Sequence, residues 1–170
     1  MLVSERCDFD FVLIVENSRS IANDDWALVY QFIRNLVTSI SERTALGSEA
    51  RLAVITYSGS SSVVASLPAA YNRDKLLYLI GTLESRSDAT DDVSGINSAL
   101  DAASLELEPS IASRLVDWTT REQALILLKF TDVGDAATEQ ARNALFELMN
   151  ALVRVAVVGK TCKLLYPKEI

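Results

Sequence analysis

The sequence predicts a single α/β domain with a doubly wound, mostly parallel central sheet, one antiparallel edge strand and helices on both faces, a Rossmann-like arrangement. Short β-rich apolar runs alternate with longer segments in which apolar residues recur every three or four positions, the pattern of crossover units on a parallel sheet. The first run, Asp8 to Val15, ends in four apolar residues. A strand that is apolar on both faces is typical of the middle of such a sheet.

The first half of the chain predicts a helix and a hairpin after this strand. Asn23 or Asp24 is expected to cap the helix. Its sheet-facing stripe is predicted to comprise Trp26, Val29, Tyr30, Ile33, Leu36, Val37 and Ile40. Arg51 to Tyr57 then predicts a second strand, which a serine-rich turn joins to Val63 to Leu67 as an antiparallel edge strand.

The second half alternates helices and strands. A helix from Arg73 to about Leu83, a polar loop at 85–92 and an Ala-rich helix through Ile96, Leu100 and Ala103 are expected. Pro109 is expected to break that helix, and residues 110–122 are compatible with a short helix or an irregular segment. Strands at 123–130 and 153–158, with an amphipathic helix at 139–152 between them, complete the prediction.

Length, charge and residue content limit the possible functions. The 170 residues suit one domain spanning 1–170, with its core at about 8–159 and a divergent or truncated C-terminal end. A net charge of −7 argues against a nucleic-acid partner. The absence of histidine excludes Ser-His-Asp and Cys-His catalytic sets. The longest apolar stretches have only strand length, so no membrane span is expected.

Three segments rich in hydroxyl and carboxylate groups follow predicted strands or begin a predicted helix. Glu16 to Ile21 comes after the first strand, Asp91 to Leu100 leads into the Ala-rich helix, and Thr131 to Asp135 follows the 123–130 strand. Ligands of open parallel sheets bind beyond the carboxyl ends of the strands. We therefore expect a binding site where these segments meet.

The first segment carries a resemblance to a known family. Glu16-x-Ser18-x-Ser20-Ile21 is similar to the Asp-x-Ser-x-Ser motif of the metal-ion-dependent adhesion site of von Willebrand factor A (integrin I-like) domains. The difference is the acid, since Glu16 stands where that family has aspartate.

The other two segments extend the resemblance, which runs from about Asp8 to Gly159. Counting back from the next helix places Ser94 at the family's threonine position, with Thr90 as the alternative if the loop is longer. Thr131-Asp132-Val133-Gly134 resembles the family's Thr-Asp-Gly element with one inserted or substituted residue. Asp132 is then the counterpart of the family's aspartate.

The resemblance implies a Mg²⁺ site, with Mn²⁺ or Ca²⁺ as substitutes, built from Glu16, Ser18, Ser20, Ser94 and Asp132. Mg²⁺ takes octahedral oxygen coordination at about 2.0 to 2.1 Å, so the extra methylene of Glu16 is expected to displace its carboxylate unless the backbone adjusts. Arg19 stands where the family often has glycine. The alternative is a site without metal, in which Ser18 caps a helix and Glu16 and Asp132 pair with Arg19. Asp92 and Asp135 could compensate for these two differences from the family, at Glu16 and at Arg19.

The tryptophans and cysteines add further expectations. Trp26 is expected in the core, and Trp118 is also more compatible with core packing than with a partner contact. Cys7 precedes the first strand and Cys162 follows a parallel one. The two therefore fall at opposite ends of a sheet, and a disulfide needs Cα atoms within about 7 Å. We predict no Cys7–Cys162 bridge.

The resemblance implies a non-enzymatic protein-binding or adhesion module, whose partner contributes an acidic side chain to the metal. We expect it to belong to a larger multidomain protein that is extracellular or on the cell surface, with the cytoplasm as the alternative. A second hypothesis is a scaffold domain with a non-functional metal site that binds partners through helix faces or the edge hairpin. A third is a metal-dependent hydrolase using Glu16 and Asp132. It ranks last because no phosphate-binding glycine motif or nucleophile-base pair is evident.

Overall fold

A computed structural model describes residues 8–19, 21–83, 93–117, 121–129, 143 and 154–159, without the side chains of 93–94, 108–117, 129 and 154–159. The elements are β1 (Phe9–Glu16), α1 (Asn23–Ser41), β2 (Ala50–Tyr57), β3 (Ser61–Ala65), a 3₁₀ turn (Leu67–Ala69), α2 (Arg73–Gly81), α3 (Val93–Asp117), β4 (Glu122–Lys129) and β5 (Arg154–Gly159). The described strands form one sheet in the order β3-β2-β1-β4-β5.

The sheet confirms the predicted doubly wound class. β1 pairs in parallel with β2 on one side and β4 on the other, and β5 continues in parallel beyond β4. β3 is antiparallel to β2 and forms one edge of the described sheet. The apolar run of the first strand therefore lies mid-sheet, as predicted. Its residues are apolar because both faces of this strand are covered.

Alternate residues of β1 point into two separate cores. Val12 and Ile14 pack in the cluster formed with α3, whose buried side chains are Ile96, Ala99, Leu100, Ala103 and Leu107. Leu13 and Val15 pack in the other cluster with α1 and α2. The period of two in a strand produces this division. Helices on both faces of the sheet are thereby confirmed.

The start of α1 differs from the prediction. Its N-cap residue is Ala22, and no side chain caps the helix by a hydrogen bond, so the expectation that Asn23 or Asp24 caps it is wrong. Of the predicted stripe, Trp26, Val29, Ile33 and Val37 are buried. Tyr30 and Leu36 are partly buried against the same core, and Ile40 is partly buried. Packing of this stripe on the sheet stabilises the helix without a cap, because tertiary burial contributes more than a single capping bond.

Pro109 does not break α3, which runs without interruption from Val93 to Asp117. The expected break is wrong. Residues 110–122 were compatible with a helix or an irregular segment, and 110–117 are helical. A proline in a helix interior costs about 3 kcal/mol. The turns before it are anchored by Ala103 and Leu107, both fully buried against the sheet. This packing offsets the local cost.

The structure tests some of the remaining predictions, and others fall on residues outside the described ranges. β4 and β5 agree with the predicted strands within one residue at each described end. The predicted helix at 139–152 lies outside the described residues except for Asn143, and Trp118, Cys7 and Cys162 also lie outside them. Trp26 is buried in the core as expected. In the part of the chain that is described, no helix is long and apolar enough to span a bilayer.

Candidate functional site

Glu16 and Ser18 form a buried pair at the carboxyl end of the central strand. Glu16 is the last residue of β1 and lies opposite Tyr57, the last residue of β2. The Ser18 hydroxyl donates a hydrogen bond of 2.8 Å to Oε1 of Glu16, and both residues have no exposed surface. The first motif of the sequence therefore places a hydroxyl and a carboxylate in contact, away from bulk water.

Backbone hydrogen bonds hold the loop that carries this pair. The Asn17 amide donates to the Tyr57 carbonyl at 2.7 Å, which ties the residue between Glu16 and Ser18 to the end of β2. The Ile21 amide donates to the Ser18 carbonyl at 3.3 Å, and the Ile21 side chain is buried in the core beneath α1. The loop is thus fixed on both sides of Ser18.

The N-terminus of α3 lies at the same edge of the sheet. Gly95 packs so closely on the β2–β3 turn that a Cβ atom at this position would lie 1.7 Å from the Ser58 carbonyl oxygen. One turn later, the Ser98 and Ser61 hydroxyls are 2.7 Å apart. Because Ser58 follows the strand partner of Glu16, the backbone of Ser94, which precedes Gly95, lies at the edge predicted for the site. The Ser94 side chain is outside the described residues.

The third segment is reached through β4. Leu128 lies opposite Val15 of β1, so the chain leaves β4 at the level of Glu16 and reaches Asp132 a few residues later. Asp132 lies outside the described residues, as do Ser20, Thr90, Asp92 and Asp135. Their assignment to the site stays a prediction.

The predicted alternative role of Ser18 is wrong. Ser18 does not cap a helix, since Ala22 is the N-cap of α1, and the Ser18 hydroxyl donates to Glu16 instead. Arg19 is exposed to solvent beside this pair. The pairing of Arg19 with Glu16 and Asp132 stays a prediction.

The described pair is compatible with two oxygen ligands of a hard divalent cation. In an octahedral Mg²⁺ site with bonds of about 2.0 to 2.1 Å, adjacent ligand oxygens are about 2.9 Å apart. The two oxygens here are separated by 2.8 Å, so the extra methylene of Glu16 does not carry its carboxylate away from Ser18. Among the described residues, no three Asp, Glu or Cys side chains converge on a possible metal position. The predicted set draws its other ligands from hydroxyls and from Asp132.

Sequence reasoning missed the role of Gly95. An isolated glycine in an otherwise Ala-rich helical segment was the available signal, because glycine weakens a helix and its presence there usually has a packing reason. The partner, the Ser58 carbonyl, is a backbone group and leaves no trace in the residue pattern. Only the packing of α3 against the β2–β3 hairpin brings the two groups together.

Comparison with known proteins identifies the family and the fold. The model of the von Willebrand factor type A domain matches residues 10–161. No curated protein is significantly similar to the chain in sequence.

Solved structures with this fold include three informative ones. The manganese-loaded Plasmodium vivax TRAP protein is 20% identical, with a TM-score of 0.67 over 89% of this chain and 57% of that one. Proximal thread matrix protein 1 from the mussel byssus, with a zinc-occupied MIDAS motif, is 17% identical, with a TM-score of 0.68 over 91% of this chain and 36% of that one. The TFIIH p34 N-terminal domain is 13% identical, with a TM-score of 0.68 over 91% of this chain and 81% of that one. At these identities the likeness shows the fold alone.

Proposed function

The chain belongs to the von Willebrand factor type A domain family, and from that premise we propose that it is a non-enzymatic module that binds an acidic side chain of a protein partner through a divalent cation. The observation that carries this proposal is the Ser18–Glu16 pair, with its two oxygens 2.8 Å apart and fully buried at the end of the central strand. Mg²⁺ is the proposed physiological ion, with Mn²⁺ or Ca²⁺ as substitutes.

Each residue of the site has a distinct proposed role. Ser18 contributes a neutral hydroxyl oxygen and Glu16 a charged oxygen, while Ser20, Ser94 and Asp132 complete the oxygen set. When bound, the cation supplies an electrophilic coordination position for a carboxylate of the partner. Burial of Glu16 strengthens its attraction for a cation, because the surrounding medium screens the charge less than water does.

The solved structures support this proposal at the level of the fold. Two of them contain a bound metal: manganese in TRAP and zinc at the MIDAS motif of the byssus protein. The present chain spans 57% and 36% of those two chains, respectively. We accordingly propose that it is one domain of a larger extracellular or cell-surface protein.

The alternative function is a scaffold domain without a metal. One observation favours it: the hydrogen bond from Ser18 to Glu16 satisfies a donor and an acceptor in the absence of any cation. A scaffold would bind partners through helix faces or through the β3 edge, where Val63 is 44% exposed.

Calorimetric titration with Mg²⁺ and with Mn²⁺ separates the two functions. We expect the wild-type domain to bind Mn²⁺ at millimolar concentration or below, and Ser18→Ala to bind it about tenfold or more weakly, because one direct oxygen ligand is lost. Ser39→Ala is the matched control, since Ser39 is an exposed serine near the end of α1 and is not part of the Glu16-x-Ser18-x-Ser20 motif. Asp132→Ala tests the predicted ligand beyond β4.

Two outcomes contradict the proposal. If the wild type releases no binding heat at millimolar metal, the scaffold function replaces it. If Ser18→Ala and Ser39→Ala bind metal equally well, the cation binds elsewhere in the chain. With a partner in hand, EDTA is expected to abolish the complex, and added Mg²⁺ is expected to restore it.

A further inference from the structure

Two consecutive carbonyl groups at the end of β2 contact both parts of the site. The Tyr57 carbonyl accepts a 2.7 Å hydrogen bond from the Asn17 amide, which lies between Glu16 and Ser18. The next carbonyl, that of Ser58, lies against Gly95, which follows Ser94 in α3. One short backbone segment therefore fixes the distance between the first motif and the N-terminus of α3.

The contact at Gly95 leaves no room for a side chain. A Cβ atom there would lie 1.7 Å from the Ser58 oxygen and 2.8 Å from its carbonyl carbon, whereas real Cβ atoms essentially never lie within 3.0 Å of such atoms. Both neighbours are backbone atoms and cannot rotate away. Any larger residue would force α3 and the β2–β3 turn apart by more than an ångström.

Polar contacts further along α3 hold it in the same register. The Ser98 hydroxyl lies 2.7 Å from that of Ser61. Two turns later, Glu106 accepts hydrogen bonds from the Ser66 hydroxyl at 3.0 Å and the Leu67 amide at 2.7 Å. The helix is thus fixed along its axis relative to the hairpin, and its first turn cannot slide without breaking these bonds.

We propose that Gly95 is a positioning residue of the metal site: its close approach to the Ser58 carbonyl sets the backbone of Ser94 relative to Glu16 and Ser18, and with it the position from which a Ser94 ligand would reach the shared cation. This inference rests on the proposed function. Mg²⁺ tolerates little error in ligand position, since its octahedral bonds are about 2.0 to 2.1 Å long. A shift of more than an ångström between α3 and the β2–β3 turn removes a ligand at Ser94 from the coordination shell.

The test compares two glycine substitutions by Mn²⁺ calorimetry. Gly95→Ala is expected to weaken Mn²⁺ binding about tenfold or more, the usual effect of displacing a ligand's support. Gly81→Ala is the matched control, because Gly81 is also helical but has no atom within 4 Å of its added Cβ. Equal affinities of Gly95→Ala, Gly81→Ala and wild type overturn the proposal.

If Gly95→Ala does not fold, a second pair of variants tests whether the position of α3 against the hairpin controls metal binding. Ser61→Ala removes the hydroxyl contact with Ser98 without adding bulk, and Ser61→Thr keeps a hydroxyl. We expect Ser61→Ala to weaken Mn²⁺ binding by up to about fivefold, the equivalent of one neutral hydrogen bond, and Ser61→Thr to restore it. A loss of stability alone, with unchanged affinity in both variants, contradicts the positioning role.

A metal-independent measurement separates failure of the inference from failure of the proposed function. If the wild type binds no metal, the proposed function fails. The positioning geometry is then judged from the backbone amide resonances of Asn17 and Ser18 in wild type, Gly95→Ala and Gly81→Ala. Shifts in Gly95→Ala alone support the bridge from α3 through β2 to the first motif, and unchanged resonances overturn it.

Discussion

Arg121, which immediately precedes β4, donates a hydrogen bond of 2.9 Å from Nε to Oδ1 of Asp10 in β1. Asp10 is fully buried and is also held by Arg51 of β2, whose Nε donates to the same oxygen at 2.8 Å. Arg121 additionally donates to Asp8 and to three backbone carbonyls. These contacts tie three neighbouring strands together at the amino end of the sheet, opposite the candidate site.

The hydrogen bond from Arg51 to the Asp10 carboxylate raises the pKa of Arg51 above its already high ordinary value. A raised pKa of a cation means that its contribution to stability is present at lower pH and is lost only as pH rises through that value. Arg51 therefore stays charged in every condition short of strong alkali.

Asp10→Asn is expected to lower the free energy of unfolding by up to about 3 kcal/mol, because it removes the buried counter-ion that Arg51 and Arg121 share, while Arg121 keeps its ion pair with Asp8. Urea denaturation measures this loss. Asp74→Asn is the control: its ion pair with Arg73 spans 3.7 Å and its side chain is 90% exposed, so the change should stay below about 1 kcal/mol. Equal losses in the two variants would show that the buried cluster is not a stabilising contact.

Pro109→Ala is expected to raise the free energy of unfolding by about 1 to 3 kcal/mol. The helix already runs through this position, and alanine adds the missing amide and relieves the clash with the preceding turn. Pro68 provides the contrast, since it lies at the start of the 3₁₀ turn where a proline fits. Pro68→Ala should bring no gain. A destabilised Pro109→Ala would indicate that the helix ends before residue 109 in solution.

Glu106→Ala is expected to cost about 1 to 3 kcal/mol of unfolding free energy. The substitution leaves the Leu67 amide and the Ser66 hydroxyl without the carboxylate oxygen that both contact. Glu106→Gln keeps an acceptor oxygen and should cost less. Glu42→Ala, at an exposed position after α1, serves as the control. An effect no larger than that of the control would refute the tie between α3 and the 3₁₀ turn.

Trp26→Phe is expected to lower the free energy of unfolding by about 1 to 3 kcal/mol. The indole is buried, and its Nε1 donates a hydrogen bond of 3.1 Å to the Leu83 carbonyl at the end of the α2 region. Phenylalanine removes this donor and leaves a small cavity. Tyr78→Phe, at a side chain that is 70% exposed, is expected to have no measurable effect. Thermal and urea unfolding should rank the two variants in the same order.

The sequence alone determined the class of the fold and the edge of the sheet at which Glu16 and Ser18 lie. Strand and helix periodicities are local, because the backbone sends successive strand residues to opposite faces and returns a helix residue to the same face every three or four positions. The central place of β1, the stripe on α1 and the antiparallel hairpin could therefore be predicted. So could the edge at which Glu16 and Ser18 lie, since parallel strands bring their carboxyl ends together.

Only the tertiary structure decided which long-range contacts form. Asp10 meets Arg51 and Arg121 across 41 and 111 residues of chain, and this meeting depends on the register of three strands. Gly95 meets a backbone carbonyl, which has no residue type to recognise. Pro109 and the uncapped start of α1 follow the same rule: local propensities of a few kcal/mol at most are overridden when packing on a sheet buries the adjoining turns.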